Sequence, residues 1–352
     1  MNDLPPLPLV DNTLFVDNSG WLEGLMTCPR ALQYKQLNRR VLVAESAALN
    51  FGSAIHLALE YRYRHYASSP VDVFYKDAIT PILTAFFTEH PSPMEDFRTL
   101  NWCFELLDKY NDRYSQEEFS LLKYKEPQAC PQCEGRGHNV ITEITGVQQC
   151  LWCHGKGKTD LMVELPFALS LCEIQGTKIV YTGRIDLPVT LDGELYVVDH
   201  KTTSMLGPTF FDKMKMSSQQ KGYAWAFEEI TKQRLAGYII NAVRSKEPPM
   251  YVTNGTENKR GGGKSQSPEQ WWRDSFQREK YRLRADDLVE WKNNTIAILE
   301  EFLWNYSRGK LPMKTAWCSQ FGKCPYFDVC TMEEVDRSVF LYSGVYADNT
   351  WS

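Results

Sequence analysis

Residues 183–203 read GRIDLPVTLDGELYVVDHKTT, two apolar strands around a two-residue turn, with charges where a core hairpin would carry valine. Asp192-Gly193 suits that turn, because type I′ geometry needs positive φ at both central positions. With this turn, opposed residues have numbers summing to 385, which sets Asp186 across from Asp199 and Arg184 across from Lys201. The strand period of two puts Leu195, Val197, Asp199 and Lys201 on one face. Asp186, Asp199 and Lys201 are therefore expected together. Like charges opposed at roughly 4.5–5.5 Å are destabilising, and apolar neighbours raise the cost. A divalent cation such as Mg²⁺ would relieve it, since that ion is held by one or two carboxylates and keeps waters for a phosphate. An ion pair of Asp199 with Arg184 or Lys201 on a solvated sheet edge would relieve it as well. Spacing alone leaves both open.

The chain around the hairpin alternates in character. Upstream, LMVELPFALSL and KIVYTGRIDLPV join ELYVVDHKT as three strands over residues 160–202. Downstream, a helix is expected from about Thr209 to Thr231, then a strand, AGYIINAVR. From WLEGLMTCPRALQYKQL to about residue 125, apolar residues recur at three- and four-residue spacing, as in FGSAIHLALEYRYRHY, which predicts helices. Residues 1–20 are proline-rich and polar, an expected extended arm. NGTENKRGGGKSQS (254–267) is glycine-rich and charged, either a disordered surface insertion or a flexible basic contact to phosphates. Helices are expected to resume from SPEQWW to NYSRGK, before the segment WCSQFGKCPYFDVC.

At 352 residues, with 43% hydrophobic and 24% charged content, the composition is that of a soluble globular protein with room for two or three domains or one elaborated domain. The N-terminal stretch has an acidic start and no apolar run of signal-peptide length. No stretch approaches the roughly 20 apolar residues of a membrane span. A cytoplasmic protein without membrane contact is expected. A net charge of −5 argues against coating nucleic acid by bulk electrostatics, so any such binding must use a local basic groove or metal ions.

Ten cysteines without an export signal point to metal ligation or reduced thiols before disulfides, and eight of them fall into two arrays. Cys130, Cys133, Cys150 and Cys153 form two C-x2-C pairs separated by 16 residues, a zinc-site spacing. His138 and His154 lie nearby, but four cysteines already fill a tetrahedral site. Arg136, Lys156 and Lys158 make this segment basic, so it reads equally as a structural staple or as a DNA or protein contact. The second array is Cys28 with Cys318, Cys324 and Cys330. Cys103 and Cys172 belong to neither and are expected as small buried hydrophobes.

GRID followed 13 residues later by D-x-K at the end of an apolar strand resembles the core of the PD-(D/E)XK nuclease superfamily, with Ile185 in place of the proline. GSAIHLALE (52–60) resembles the metal-binding histidine helix of its RecB-like branch, mapping to His56. QQKGY (219–223) resembles its Q-x-x-x-Y element, mapping to Gln219 and Tyr223. The resemblance implies an α/β restriction-endonuclease-like core, a central mixed sheet flanked by helices. One cysteine before that core and three after it resemble the iron–sulfur members of the branch (the AddB and CRISPR-associated exonuclease type). This implies a [4Fe–4S] cluster on Cys28, Cys318, Cys324 and Cys330. The C-x5-C interval departs from the C-x2-C usual there, and four thiolates also suit zinc. The C-x-x-C-x-G-x-G repeats resemble DnaJ-type zinc domains, though no H-P-D tripeptide occurs. The organisation so implied is an arm at 1–20, a helical region at 21–125 with Cys28 and the His56 helix, and a zinc-knuckle insertion at 126–158. A nuclease core at 159–250, a flexible loop at 251–267 and C-terminal helices with the iron–sulfur segment at 268–352 follow.

The resemblance also implies a metal-dependent exonuclease hydrolysing phosphodiester bonds at DNA ends or in single strands. His56, Asp186, Asp199 and the His200 carbonyl would hold Mg²⁺ or Mn²⁺. Lys201 would position or activate water or stabilise developing charge, and Gln219 and Tyr223 would orient the site. DNA and helicase or recombination proteins are the expected partners. Trp225, Trp271 and Trp272 are candidates for base stacking or burial. A non-catalytic DNA-binding or assembly subunit of a recombination or repair complex is the competing reading, and the intact Asp–Asp–Lys set speaks against it.

Overall fold

The computed structural model describes residues 4–42, 46–66, 74–130, 133–142, 146–150, 156–255, 266–319 and 322–348. The expected arm is not wholly extended and free. Residues Thr13–Val16 form strand β1, with Leu14 and Val16 buried and Phe15 turned outward. Short helical turns occupy Asn18–Leu22, Glu23–Thr27, Pro29–Leu32 and Gln33–Leu37, and three longer helices follow, α1 (Ala47–Tyr66), α2 (Phe74–Glu89) and α3 (Leu100–Arg113). Thr99 caps α3 by accepting from the Trp102 amide at 3.3 Å.

After a short strand β2 (Ser120–Leu121), the central strands are β3 (Leu165–Ile174), β4 (Thr177–Ile185), β5 (Leu187–Leu191) and β6 (Glu194–Thr203). Asp192 at φ 53° and Gly193 at φ 79° make the expected turn. The β5–β6 ladder runs Leu187↔Val198 to Leu191↔Glu194, the register counted from the turn. Between β4 and β5 only Asp186 intervenes. β4 belongs to a three-stranded sheet of order β1-β4-β3, whereas β5 belongs to a second sheet. One long run of chain thus crosses between sheets at Asp186.

The helix expected over 209–231 is two, α4 (Pro208–Lys215) and α5 (Ser218–Thr231), with Ser217 extended between them. The Tyr238 hydroxyl donates to the Met214 and Lys215 carbonyls, satisfying acceptors that a continuous helix would have used internally. Strand β7 (Gly237–Arg244) runs parallel to β6. A second correction follows α6 (Pro268–Asp274): Phe276–Arg282, expected as helix, is strand β8, antiparallel to β7. Its buried ends face opposite sides, Phe276 towards the α1–α3 core and Tyr281 towards the other, so no single apolar stripe advertised a strand. The second sheet has order β8-β7-β6-β5-β2. Helix α7 (Asp287–Ser307) packs against α5.

Two apolar cores result. One joins the three-stranded sheet, α5 and α7 around Tyr181, Trp225 and Trp291. The other joins α1, α2 and α3 to the opposite face of the five-stranded sheet around Phe51, Leu106 and Val198. Mixed sheets with helices on their faces are the expected α/β architecture. No helix among the described residues is long and apolar enough to cross a membrane.

Candidate active site

Asp199 and Lys201 project from one face of β6 and His200 from the other, as the pleat requires. Asp199 is buried, and its Oδ2 lies 2.6 Å from Lys201 Nζ. Lys201 Nζ also donates to Gln219 Oε1 at 2.9 Å, and Gln219 Nε2 donates to the Tyr223 hydroxyl at 3.0 Å. Gln219 and Tyr223 sit one turn apart on α5, so the helix delivers both to the strand. Burial would lower the Lys201 pKa, but Asp199 and Asp186 outweigh it and raise it above the usual lysine value. At neutral pH Lys201 is an ammonium and supplies charge rather than a base.

Asp186 stands at the crossing between the sheets, one residue before the β5 ladder, so the expected ladder pairs Asp186–Asp199 and Arg184–Lys201 do not form; Arg184 lies opposite Pro166 and 3.7 Å from Glu164. Its Oδ2 accepts from the His200 amide at 2.8 Å. His56 Nδ1 lies 3.6 Å from the same carboxylate. What brings His56 there is a close approach of α1 to β6: a Cβ on Gly52 would lie 2.9 Å from Thr202 Oγ1. Burial, then the neighbouring Asp199 charge, pushes Asp186 up to about 6.

Sequence reasoning missed Glu164. His56, Glu164 and Asp186 each offer a ligand atom within 4.8 Å of the others. Asp199 is outside that trio, held by Lys201. Glu164 lies just before β3, with φ 52° in the left-handed region and its amide donating to the Asp186 carbonyl at 2.8 Å. Burial, then Asp186 and Glu60, raises its pKa well above the glutamate norm. A non-glycine residue held left-handed beside a reactive cluster is a frequent mark of functional sites. No motif spacing announced it. Glu60, one turn beyond His56, is bound by Arg64 at 2.8 Å, and Arg64 also donates to the Val163 carbonyl. The donor chemistry, one imidazole and two carboxylates, fits Mg²⁺ or Mn²⁺.

His200 faces the helices. Its ring stacks on Tyr63 at 5.5 Å, and Nδ1 lies 2.7 Å from Asn241 Nδ2. Burial, then His56, lowers its pKa well below 6.5, so the imidazole is neutral and accepts from Asn241 at Nδ1. Asn241 Oδ1 accepts from Arg278, which with Arg62 embraces the buried Glu117. This array, unforeseen from sequence, braces the strand that carries the site.

The described cysteines gather into the two anticipated groups. Cys130, Cys133 and Cys150 lie with sulfurs within 4.8 Å, and Cys130 Sγ to Cys150 Sγ is 3.9 Å. That matches the edge of about 3.8 Å for a tetrahedron with Zn–S bonds of about 2.3 Å. Cys153 and His154 fall outside the described residues. Cys28, Cys318, Cys324 and Cys330 come from both ends of the chain to one region: the Lys314 amide donates to Cys28 Sγ at 3.5 Å, the Cys324 amide to the Cys318 carbonyl at 2.9 Å, and Cys324 and Cys330 pack against the cluster of Tyr34 and Tyr326. No three of their sulfurs lie within 4.8 Å of one another. Cys103 is buried and Cys172 half-buried. Trp225 and Trp271 are core residues; Trp272 is half-buried beside Trp271.

The sequence profile of a family described as the PD-(D/E)XK nuclease superfamily matches residues 20–331. Comparison with curated proteins finds no match. A crystal structure from Eubacterium rectale, provisionally described as an exonuclease, is similar at a TM-score of 0.44 and 11% identity, covering 91% of this chain and 89% of its own. A likeness that loose carries no argument about activity.

Proposed function

This chain belongs to the PD-(D/E)XK nuclease superfamily, and from that premise we propose a metal-dependent deoxyribonuclease of the RecB-like iron–sulfur branch, an exonuclease acting on DNA ends or single strands. The superfamily consists of phosphodiester hydrolases that typically use divalent metals. The observation that carries the reading is the convergence of His56, Glu164 and Asp186 beside the Asp199–Lys201 pair. His56, Asp186, Asp199 and the His200 carbonyl, joined by Glu164, would hold Mg²⁺ or Mn²⁺. The cation would supply Lewis acidity and a water acidified for attack on phosphorus. Lys201 places a fixed positive charge where the phosphorane's negative charge grows. Gln219 holds the Lys201 ammonium by one bond and is itself oriented by Tyr223.

For the cysteine arrays, the tight trio supports zinc at Cys130, Cys133, Cys150 and Cys153. Cys28 before the core and Cys318, Cys324 and Cys330 after it resemble the cluster ligands of that branch, and four thiolates meet the requirement of a [4Fe–4S] cluster. On this reading the zinc knuckle is an insertion, while the nuclease core reaches beyond the expected 159–250, since Ser120–Leu121 and Phe276–Arg282 are strands of its five-stranded sheet.

The test is anaerobically purified protein incubated with end-labelled linear and circular single-stranded DNA, with and without Mn²⁺. Linear DNA should be degraded and circular DNA spared. Asp199→Asn should lose about 10²-fold or more in rate, the scale of one electrostatic group in such a site. Cleavage surviving that substitution would sink the assignment, as would no cleavage by the wild type with any divalent metal.

A further inference from the structure

A groove of about 810 Å³ opens where β6 and β7 end, outside the described catalytic cluster. Its floor is Trp271 and Phe97, and the exposed side chains of Met205 and Met250 stand at its mouth. Arg244 and Lys246 contribute positive charge, with the Arg244 guanidinium 5.5 Å over the Trp271 ring. Glu247 is the acidic residue of the lining. β6 and β7 are parallel, with Lys201 beside Ala242 and Thr203 beside Arg244. Both strands therefore run from the catalytic residues straight into the groove. Ser204 is three residues past Lys201, about 10 Å at the rise of an extended strand. In α/β sheets ligands bind outside the carboxyl ends of parallel strands.

From this placement we infer that the groove holds the unpaired DNA strand adjoining the scissile phosphate, its bases against Met205, Met250 and the half-buried Phe97 and its phosphates at Arg244 and Lys246. Polarizable thioethers and an aromatic ring take any base by its face, and neighbouring cations track the backbone. A paired strand has its base faces stacked within the duplex and cannot present them here. The groove thus selects single strands without reading sequence. This inference rests on the nuclease reading and specifies its substrate.

Binding of fluorescent (dT)20 and of a blunt 20-base-pair duplex, followed by anisotropy in Ca²⁺, tests it on the full-length protein. M205E/M250E should weaken (dT)20 binding about tenfold or more, of the order of one to two lost base contacts, and leave duplex binding little changed. R244Q/K246Q should reduce the slope of log affinity against log salt by about 1.4, two phosphates at roughly 0.7 each. Melting temperature and Mn²⁺ binding, measured alongside, exclude misfolding; both methionines are exposed, and K246Q alone touches only an exposed side chain. Unchanged (dT)20 affinity in M205E/M250E, or an equal loss for duplex, overturns the inference. Wild-type protein that binds (dT)20 through the groove yet never cleaves DNA would sink only the nuclease reading. Cleavage with groove variants binding normally would sink only the groove.

Discussion

At Asp186 the protein confines a carboxylate where burial and Asp199 disfavour its charge, raising its pKa from 3.8 to about 6. A raised carboxyl favours the folded state below the unfolded value of 3.8, and that contribution is lost as pH rises through about 6. Metal-free protein should therefore lose stability between pH 4 and 7, by at most about 3 kcal/mol from this residue. Differential scanning calorimetry in EDTA reads it, and Mn²⁺ should offset the loss at pH 7. Because cation and proton compete for the same oxygens, Mn²⁺ affinity should fall roughly tenfold per pH unit below about 6. Glu164→Gln keeps the size and removes the charge; titration calorimetry should then show Mn²⁺ binding weakened about tenfold or more. Affinity equal to the wild type would remove Glu164 from the ligand set. At this scale the sequence was informative where a turn fixed geometry: Asp192-Gly193 set the register from Leu191↔Glu194 to Leu187↔Val198, but the count failed beyond it, because the chain leaves the ladder at Asp186 and Arg184 pairs with Pro166 instead of Lys201. Glu164 was hidden because its position depends on a left-handed backbone and on the crossing between sheets, neither of which has a local sequence signal.

Among the elements, β6 is held from both faces. Lys201 ties it to α5, and His200 ties it through Asn241 to the Arg62–Glu117–Arg278 cluster. Glu117 is nearly inaccessible in its side chain, and it keeps a lowered pKa because the two guanidinium groups outweigh the burial that would raise it. Glu117→Ala would leave both cations without it in a buried setting, at a cost of about 3–5 kcal/mol; urea denaturation measures it, and a loss below 1 kcal/mol would show that water or rearrangement compensates. Helices α1 to α3 were legible from their periodicity. β8 was not, since FQREKYR carries the charged Arg278 into a polar interior and splits its apolar residues between two cores. β1 was legible in principle, as Leu14 and Val16 alternate with Phe15, but the surrounding prolines masked it.

On the scale of the whole molecule, Cys28 Sγ accepts from the Lys314 amide 286 positions later, and no local pattern could have required that. The Lys314 side chain adds to the join, donating to the Leu25 and Met26 carbonyls at 3.3 and 3.1 Å. If four thiolates bind iron there, the brown absorbance of the anaerobic protein should vanish in Cys324→Ser while its zinc content persists. Zinc content should instead fall with Cys130→Ser. Loss of neither colour nor iron in Cys324→Ser would reject the cluster.

The crossing at Asp186 has a mechanical meaning. Residues on its two sides are hydrogen-bonded into different sheets, so the backbone before and after the carboxylate is fixed by two separate ladders. Slippage of either ladder would carry the carboxylate away from His56 and Glu164.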